Sequence, residues 1–180
     1  EKRRGLSINL GFAYRKADHQ NSIAFIDVPG HKSFINNMIS GVSGIDLGML
    51  VIAADDGVMP QTLEHLQILN CLGVTEIVVV LTKVDRASET RIRDVRSAVL
   101  EFLPQSPLFE VSNKAEPSQS GIDPLQHFLD CYAQALKPRD AAGLFRMSID
   151  RAFTVKGSGL VVTGTVGAGT VKVGDSLRLD

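Results

Sequence analysis

The chain has 180 residues, of which 44% are hydrophobic and 22% are charged, and its formal net charge is −1 at pH 7. This composition is typical of a soluble globular protein, and the balanced charge excludes nucleic-acid binding through bulk charge, so an RNA partner would need a local basic patch. We find no apolar run near the roughly 20 residues that span a membrane, and residues 1–9 lack the apolar core of a signal peptide. Cys71 and Cys131 match no metal or redox spacing, so we expect two free thiols in a cytoplasmic protein without membrane partners.

Strand and helix patterns alternate along most of the chain. Apolar and β-branched runs predict strands at residues 6–14, 22–26, 47–54, 76–81 and 108–111. Helical spacing predicts helices that begin near Pro60 and Ser88, a last helix over residues 122–136, and a shorter amphipathic segment near residues 34–39. The predicted buried stripe of the helix at Pro60 consists of Leu63, Leu66, Leu69 and Leu72. This alternation predicts a mostly parallel sheet with helices on both faces.

The pattern changes near residue 137. Residues 137–143 have the composition of a linker, and residues 144–180 are rich in Val, Thr and closely spaced glycines without a helical period. We therefore predict an α/β domain over residues 1–137 and the start of a β-barrel over residues 144–180. The second region holds too few residues to bury a core by itself.

Three polar loops follow predicted strands. These loops are Asp27-Val28-Pro29-Gly30-His31, Thr82-Lys83-Val84-Asp85 and Ser112-Asn113-Lys114. In an open parallel α/β sheet, ligands bind at the carboxyl edge, where such loops meet. One carboxylate could hold Mg²⁺ through water, a glycine amide could approach a phosphate, and a second carboxylate could accept from the N–H edge of guanine. The set therefore predicts a guanine-nucleotide site.

Each motif also has a simpler interpretation when it is taken by itself. Asp27 could cap a Pro-Gly turn, residues 82–85 could be a polar strand end, and Ser7 could be a surface serine on an edge strand. Residues 55–56 are interpreted as a turn and not as a metal pair. The histidines interpreted as surface or packing residues are His19, His65 and His127. The order of the motifs along one chain favours the joint interpretation.

Together the motifs resemble those of the translational GTPases over the whole chain. Arg4-Gly5-Leu6-Ser7-Ile8 is similar to the first switch of that family, and residues 27–31 are similar to its Asp-x-Pro-Gly-His second switch. Residues 56–65 are similar to the family's segment that comes after the next strand beyond the second switch. Residues 82–85 and 112–114 are similar to the two motifs with which that family reads the guanine base, Asn-Lys-x-Asp and Ser-Ala-Lys, with Thr82 in place of the Asn. We call residues 82–85 the base-reading loop. Thr82 and residues 149–165 most resemble the branch of bacterial selenocysteine-specific elongation factors.

This resemblance implies a role for each motif residue. Ser7 would hold Mg²⁺ and the γ-phosphate, and Asp27 would hold Mg²⁺ through water. Gly30 would sense the γ-phosphate, and His31 would position the attacking water. The residues implied for the guanine pocket are Thr82, Lys83, Asp85, Ser112, Asn113 through its backbone amide, and Lys114. Thr82 cannot supply the side-chain amide that is usual at its position.

The resemblance also implies an activity and partners. GTP or GDP and Mg²⁺ would be the cofactors of a GTP hydrolase that delivers selenocysteinyl-tRNA, an aminoacyl-tRNA, to the ribosome, with mRNA contacted through a C-terminal region. The alternatives are a general elongation or initiation GTPase, and a non-hydrolysing structural or interaction fragment. The phosphate loop G-x-x-x-x-G-K-[ST] does not occur in the 180 residues. We therefore expect a P-loop-type α/β G-domain that lacks this loop, and we expect these residues alone to be inactive.

Overall fold

The computed structural model describes residues 10–17, 21–31, 34, 38–39, 44–114, 120–137 and 141–179. The first described strands, β1 (Gly11–Lys16) and β2 (Ser22–Asp27), pair antiparallel, with Gly11 opposite Asp27. The first strand thus extends beyond its predicted end at residue 14. Ser7, His19 and the predicted start of that strand lie outside the described residues.

The centre of the fold is a parallel sheet with the strand order β3-β4-β5. Its strands are β3 (Gly48–Ala53), β4 (Ile77–Thr82) and β5 (Leu108–Glu110). The helices between and after them are α1 (Pro60–Cys71), α2 (Glu89–Phe102) and α3 (Ile122–Ala135). The predicted alternation and the parallel sheet are therefore confirmed. The β1–β2 pair forms a separate antiparallel sheet among the described strands.

Helices cover both faces of the parallel sheet. Neighbouring residues of a strand point to opposite faces, and β4 is buried at every position from Ile77 to Leu81. On one face, a single core cluster unites β3 and β4 with buried residues of α1 and α2. On the other face, the ring of Phe109 in β5 packs against Phe128 in α3, with ring centroids 5.3 Å apart. The prediction of helices on both faces is confirmed.

The predicted leucine stripe of α1 is wrong at its two ends. Leu66 and Leu69 are buried in the core, whereas Leu63 and Leu72 are 41% and 43% exposed. A spacing of three residues falls about 60° short of a full helical turn, so four leucines at this spacing spread over about half of the helix circumference. Only the middle pair can face the sheet. In α2, the spacing of four between Val95 and Val99 keeps both residues in the core.

The last described elements are the strands β6 (Arg146–Val155) and β7 (Gly159–Ala168), which form an antiparallel hairpin. Its turn contains Gly157, whose φ of +92° is in the left-handed region that favours glycine. The hairpin is a two-stranded sheet of its own, and its assignment as the start of a barrel stays a prediction. Within the described ranges, no helix is long and apolar enough to span a membrane.

Candidate functional site

Three loops meet at the carboxyl edge of the parallel sheet, and two of them, residues 82–85 and 112–114, are among the loops that the sequence predicts there. The other predicted loop, residues 27–31, follows β2, which belongs to the separate antiparallel sheet. The turn Asp55-Asp56-Gly57 follows β3, the 3-10 turn Val84–Arg86 follows β4, and residues 111–114 follow β5. The three strands are hydrogen-bonded neighbours that run in the same direction. The loops after them must therefore project from the same edge.

Hydrogen bonds join Asp85 to the loop after β5. The Ser112 hydroxyl donates to Asp85 Oδ1 at 2.5 Å, and the Lys114 backbone N–H donates to Ser112 Oγ at 3.1 Å. Ser112 is buried and Asp85 is exposed. The bond from Ser112 holds the pKa of Asp85 below its ordinary value, although burial opposes it and the charges of Lys114 and Arg86 add to it. An ionised, oriented carboxylate that only accepts is suited to a pair of N–H donors.

Thr82 and Lys83 have contacts that the sequence did not indicate. Thr82 Oγ1 points to the carbonyl oxygen of Ile52 on β3 at 3.5 Å, which is a long contact. The ammonium of Lys83 lies 3.3 Å from Asp55 Oδ1 and 3.5 Å from Asp56 Oδ2. Residues 55–56 do form the expected turn, but their carboxylates also anchor a predicted base-binding residue.

The second-switch residues follow β2. Asp27 is exposed at the end of the strand, and His31 lies with its ring tilted against Phe34, at a centroid distance of 6.1 Å. His65 of α1 lies 2.8 Å from the carbonyl oxygen of Gly30 through Nε2. Because a carbonyl oxygen only accepts, Nε2 carries the proton in this contact.

Sequence reasoning missed the contact of His65. The interpretation of this histidine as a surface or packing residue omits its hydrogen bond to Gly30. The available signal was its place in residues 56–65, which resemble a family segment. No local pattern shows which carbonyl a helical histidine reaches.

The described residues fit the base end of a guanine nucleotide better than its metal end. Asp85 is oriented and ionised beside a buried hydroxyl, and exposed Asn113 and Lys114 flank it on the loop after β5. Asp27 is a single carboxylate at the end of β2, and no group of three His, Cys, Asp or Glu residues that could hold a metal ion occurs in the described part of the chain. Ser7, the other predicted Mg²⁺ ligand, lies outside that part.

Comparison with known proteins shows the family to which the chain belongs. The sequence model of the elongation factor Tu GTP binding domain matches residues 1–166. The chain is 48% identical over 184 aligned positions to the selenocysteine-specific elongation factor of Escherichia coli K12, covering 99% of this chain and 29% of that protein. It thus spans less than a third of the length of this relative.

Two solved structures have the same fold. A bacterial selenocysteine-specific elongation factor EF-Sec aligns with 97% of this chain and 30% of its own at a TM-score of 0.85 and 34% identity. Translation elongation factor SelB from Methanococcus maripaludis, in complex with the GTP analogue GppNHp, aligns with 94% of this chain and 38% of its own at a TM-score of 0.82 and 33% identity. The predicted α/β G-domain fold is therefore confirmed.

Proposed function

We propose, from the premise that this chain belongs to the family of elongation factor Tu GTP-binding domains, that the loops after β4 and β5 bind the guanine of GTP and GDP for a translational GTPase. Three relatives that are 40%, 44% and 48% identical to this chain are selenocysteine-specific elongation factors. Guanine presents a ring N–H and an exocyclic amine on one edge, and the site needs an acceptor that matches both.

The bonding of Asp85 is the observation that carries this proposal. The Ser112 hydroxyl donates a hydrogen bond to one lone pair of Asp85 Oδ1, and the backbone N–H of Lys114 donates to the Ser112 hydroxyl oxygen and fixes its position. The carboxylate keeps free lone pairs for the two guanine donors. Adenine lacks this donor pair, so it could not supply both of the hydrogen bonds that guanine offers to the carboxylate.

The residues of the two switch segments would act at the phosphates. Ser7 of the first and Asp27 of the second would hold Mg²⁺, which when bound neutralises charge that develops on the transferred phosphoryl group. Gly30 would present its backbone to the γ-phosphate, and the bond from His65 to its carbonyl oxygen supports a defined orientation of that peptide. His31, the next residue, would orient the water for attack.

The cellular role that we propose is delivery of selenocysteinyl-tRNA to the ribosome in the cytoplasm, coupled to GTP hydrolysis. The similarity to a selenocysteine-specific factor along 99% of the chain supports this role. A contact with mRNA would belong to residues of such a factor that do not align with this chain. GTP would order the two switch segments, and hydrolysis would release them.

Replacing Asp85 by Asn tests the base assignment in the complete gene product. An amide donor would then face a guanine donor, which costs roughly 1–3 kcal/mol, so we expect GDP affinity to fall about tenfold or more. Xanthosine diphosphate, which presents a carbonyl there, should bind the variant better than GDP does. Equilibrium titration of both nucleotides measures this, with Asp94→Asn on the exposed side of α2 as control. GDP binding by Asp85→Asn as tight as that of the unchanged protein would refute the assignment.

A further inference from the structure

Lys83 has the most constrained backbone of the base-reading loop. Its φ of 56° and ψ of 32° make it the one non-glycine residue with positive φ among those that the structure describes. This left-handed conformation is unfavourable for a residue with a Cβ and persists only where the surroundings enforce it. It begins the 3-10 turn that contains Asp85. Lys83 thus lies at the start of the turn that carries Asp85, whose carboxylate is held separately by Ser112.

Two carboxylates hold the other end of Lys83. Its ammonium bridges Asp55 Oδ1 at 3.3 Å and Asp56 Oδ2 at 3.5 Å, so the side chain spans from the loop after β4 to the turn after β3. Burial alone would raise the pKa of Asp55, but the hydrogen bond and charge of Lys83 outweigh it, and the pKa lies below its ordinary value. Both ends of Lys83 are thus fixed, with the methylene stem between them.

Arg91 fixes the turn that carries these carboxylates. From the first turn of α2, its Nη2 donates to the carbonyl oxygen of Asp56 at 2.8 Å and to that of Asp55 at 3.4 Å. A Cβ added at Gly57 would lie 2.7 Å from the same nitrogen, so this approach requires a glycine there. Ser88 accepts from the Arg91 backbone N–H at 3.2 Å and caps the helix. The turn is therefore held through its backbone carbonyls by Arg91 and through its carboxylates by Lys83.

The four charges balance locally. Asp55 and Asp56 supply two negative charges, and Lys83 and Arg91 supply two positive ones, on three different loops or helices of the same sheet edge. A flexible lysine loses rotamer freedom when a ligand orders it, which weakens binding. An anchored lysine has lost that freedom before the nucleotide arrives.

We propose that Asp55, Asp56 and Arg91 are positioning residues that preorganise Lys83 as a platform for the nucleotide base. This inference rests on the proposed function, since it concerns the same guanine site. None of the three residues needs to touch the nucleotide. They act through Lys83, whose stem is held across the edge where Asp85 reads the base.

We call Asp55, Asp56 and Arg91 the clamp. Variants of the clamp in the complete gene product test this proposal. Asp55→Asn combined with Asp56→Asn removes both charges at nearly constant shape, and Arg91→Gln releases the turn. We expect either change to weaken GDP binding about tenfold, with Arg91→Lys intermediate because a lysine can reach one carbonyl only. Arg93→Gln is the matched control, since Arg93 lies on the same helix and donates within it, to Thr90 Oγ1 at 3.5 Å.

A second readout separates positioning from general stability. The reactivity of Lys83 toward an acetylating reagent, measured by mass spectrometry without nucleotide, should rise several-fold in the Asp55→Asn, Asp56→Asn variant, because an ammonium released from its two ion pairs is more accessible to the reagent. The preference for GDP over xanthosine diphosphate should not change, since Asp85 remains. Unchanged Lys83 reactivity, or GDP affinity equal to or above that of the unmodified protein, would overturn the proposal.

The proposed function fails by a different result. If the unmodified protein shows no preference for GDP over xanthosine diphosphate, the guanine assignment is wrong, whatever the clamp variants do. If that preference is present and the clamp variants bind GDP as tightly as the unmodified protein, only the proposal that these residues position Lys83 is wrong.

Discussion

Gly30 and His31 are adjacent residues with different surroundings. Gly30 accepts a hydrogen bond from His65 through its carbonyl, and a Cβ placed on it would lie 3.4 Å from the ring of that histidine. His31 contacts Phe34 through a tilted ring pair. The peptide group between Gly30 and His31 is therefore held from α1, while the side chain of His31 carries an imidazole suited to orienting water.

Replacing His31 by Ala should lower hydrolysis without weakening nucleotide binding. A group that orients or deprotonates water contributes about 10²–10⁴-fold to rate, so we expect ribosome-stimulated GTP hydrolysis to fall by that factor. GTP affinity should hardly change, because only a transition-state interaction is lost. Single-turnover hydrolysis and nucleotide titration measure the two quantities. The control is His127→Ala on the exposed face of α3, and a large loss of affinity with normal turnover would give His31 a structural role.

At the scale of elements, the start of α3 is packed against the end of β5. Gly121 precedes the helix with a φ of +70°, and a Cβ added there would lie 1.9 Å from the carbonyl oxygen of Glu110. Beside it, the Ser112 backbone N–H donates to the Ser120 carbonyl at 2.9 Å. The loop that carries Ser112 therefore depends on a close approach that only glycine permits.

Replacing Gly121 by Ala should destabilise the protein more than the same change at Gly73. Both glycines have positive φ, which costs roughly 1–2 kcal/mol for a residue with a Cβ, but nothing lies within 4 Å of a Cβ at Gly73. The clash with Glu110 should add roughly 1–3 kcal/mol at Gly121, as overpacking does in cores. Urea denaturation of both variants gives the difference. Equal losses of unfolding free energy would show that packing at Gly121 is relaxed.

At the scale of the whole molecule, Arg151 connects the β6–β7 hairpin to β1. Its Nη2 donates to the Leu10 carbonyl at 2.6 Å, and its guanidinium carbon lies 4.3 Å from the centroid of the Phe12 ring. Both contacts use one side chain from β6, across a separation of about 140 positions. Leu10 lies two positions after Ile8, the last residue of the segment that resembles the first switch, so the hairpin contacts the chain close to that segment.

Replacing Arg151 by Gln should loosen this connection. A cation–π contact at an exposed site contributes about 0.5–1 kcal/mol, and a hydrogen bond from a charged donor about 1.5–3 kcal/mol. We therefore expect amide hydrogen exchange of β1 to accelerate about tenfold, measured by mass spectrometry on the free protein. Arg146→Gln, an exposed arginine on the same strand, is the control. Equal exchange in the two variants would mean that Arg151 does not join the two parts.

The sequence alone determined the alternation of strands and helices, and with it the parallel sheet and the edge where the loops meet. Apolar periodicity reports which face of an element is buried, so it predicted β4 and the helix that begins near Ser88, whose Val95 and Val99 are buried in the core. It also placed Asp85 and Ser112 after strands whose carboxyl ends meet at one edge of the sheet.

Only the tertiary structure decided which polar groups pair at that edge. Lys83 bonds to carboxylates 28 and 27 positions before it, and His65 bonds to Gly30, 35 positions before it. Such contacts depend on how separate loops close over one edge. The spacing of residues along the chain does not predict these contacts. A charged or polar side chain in a loop can pair with many partners until the register of the strands brings one of them close.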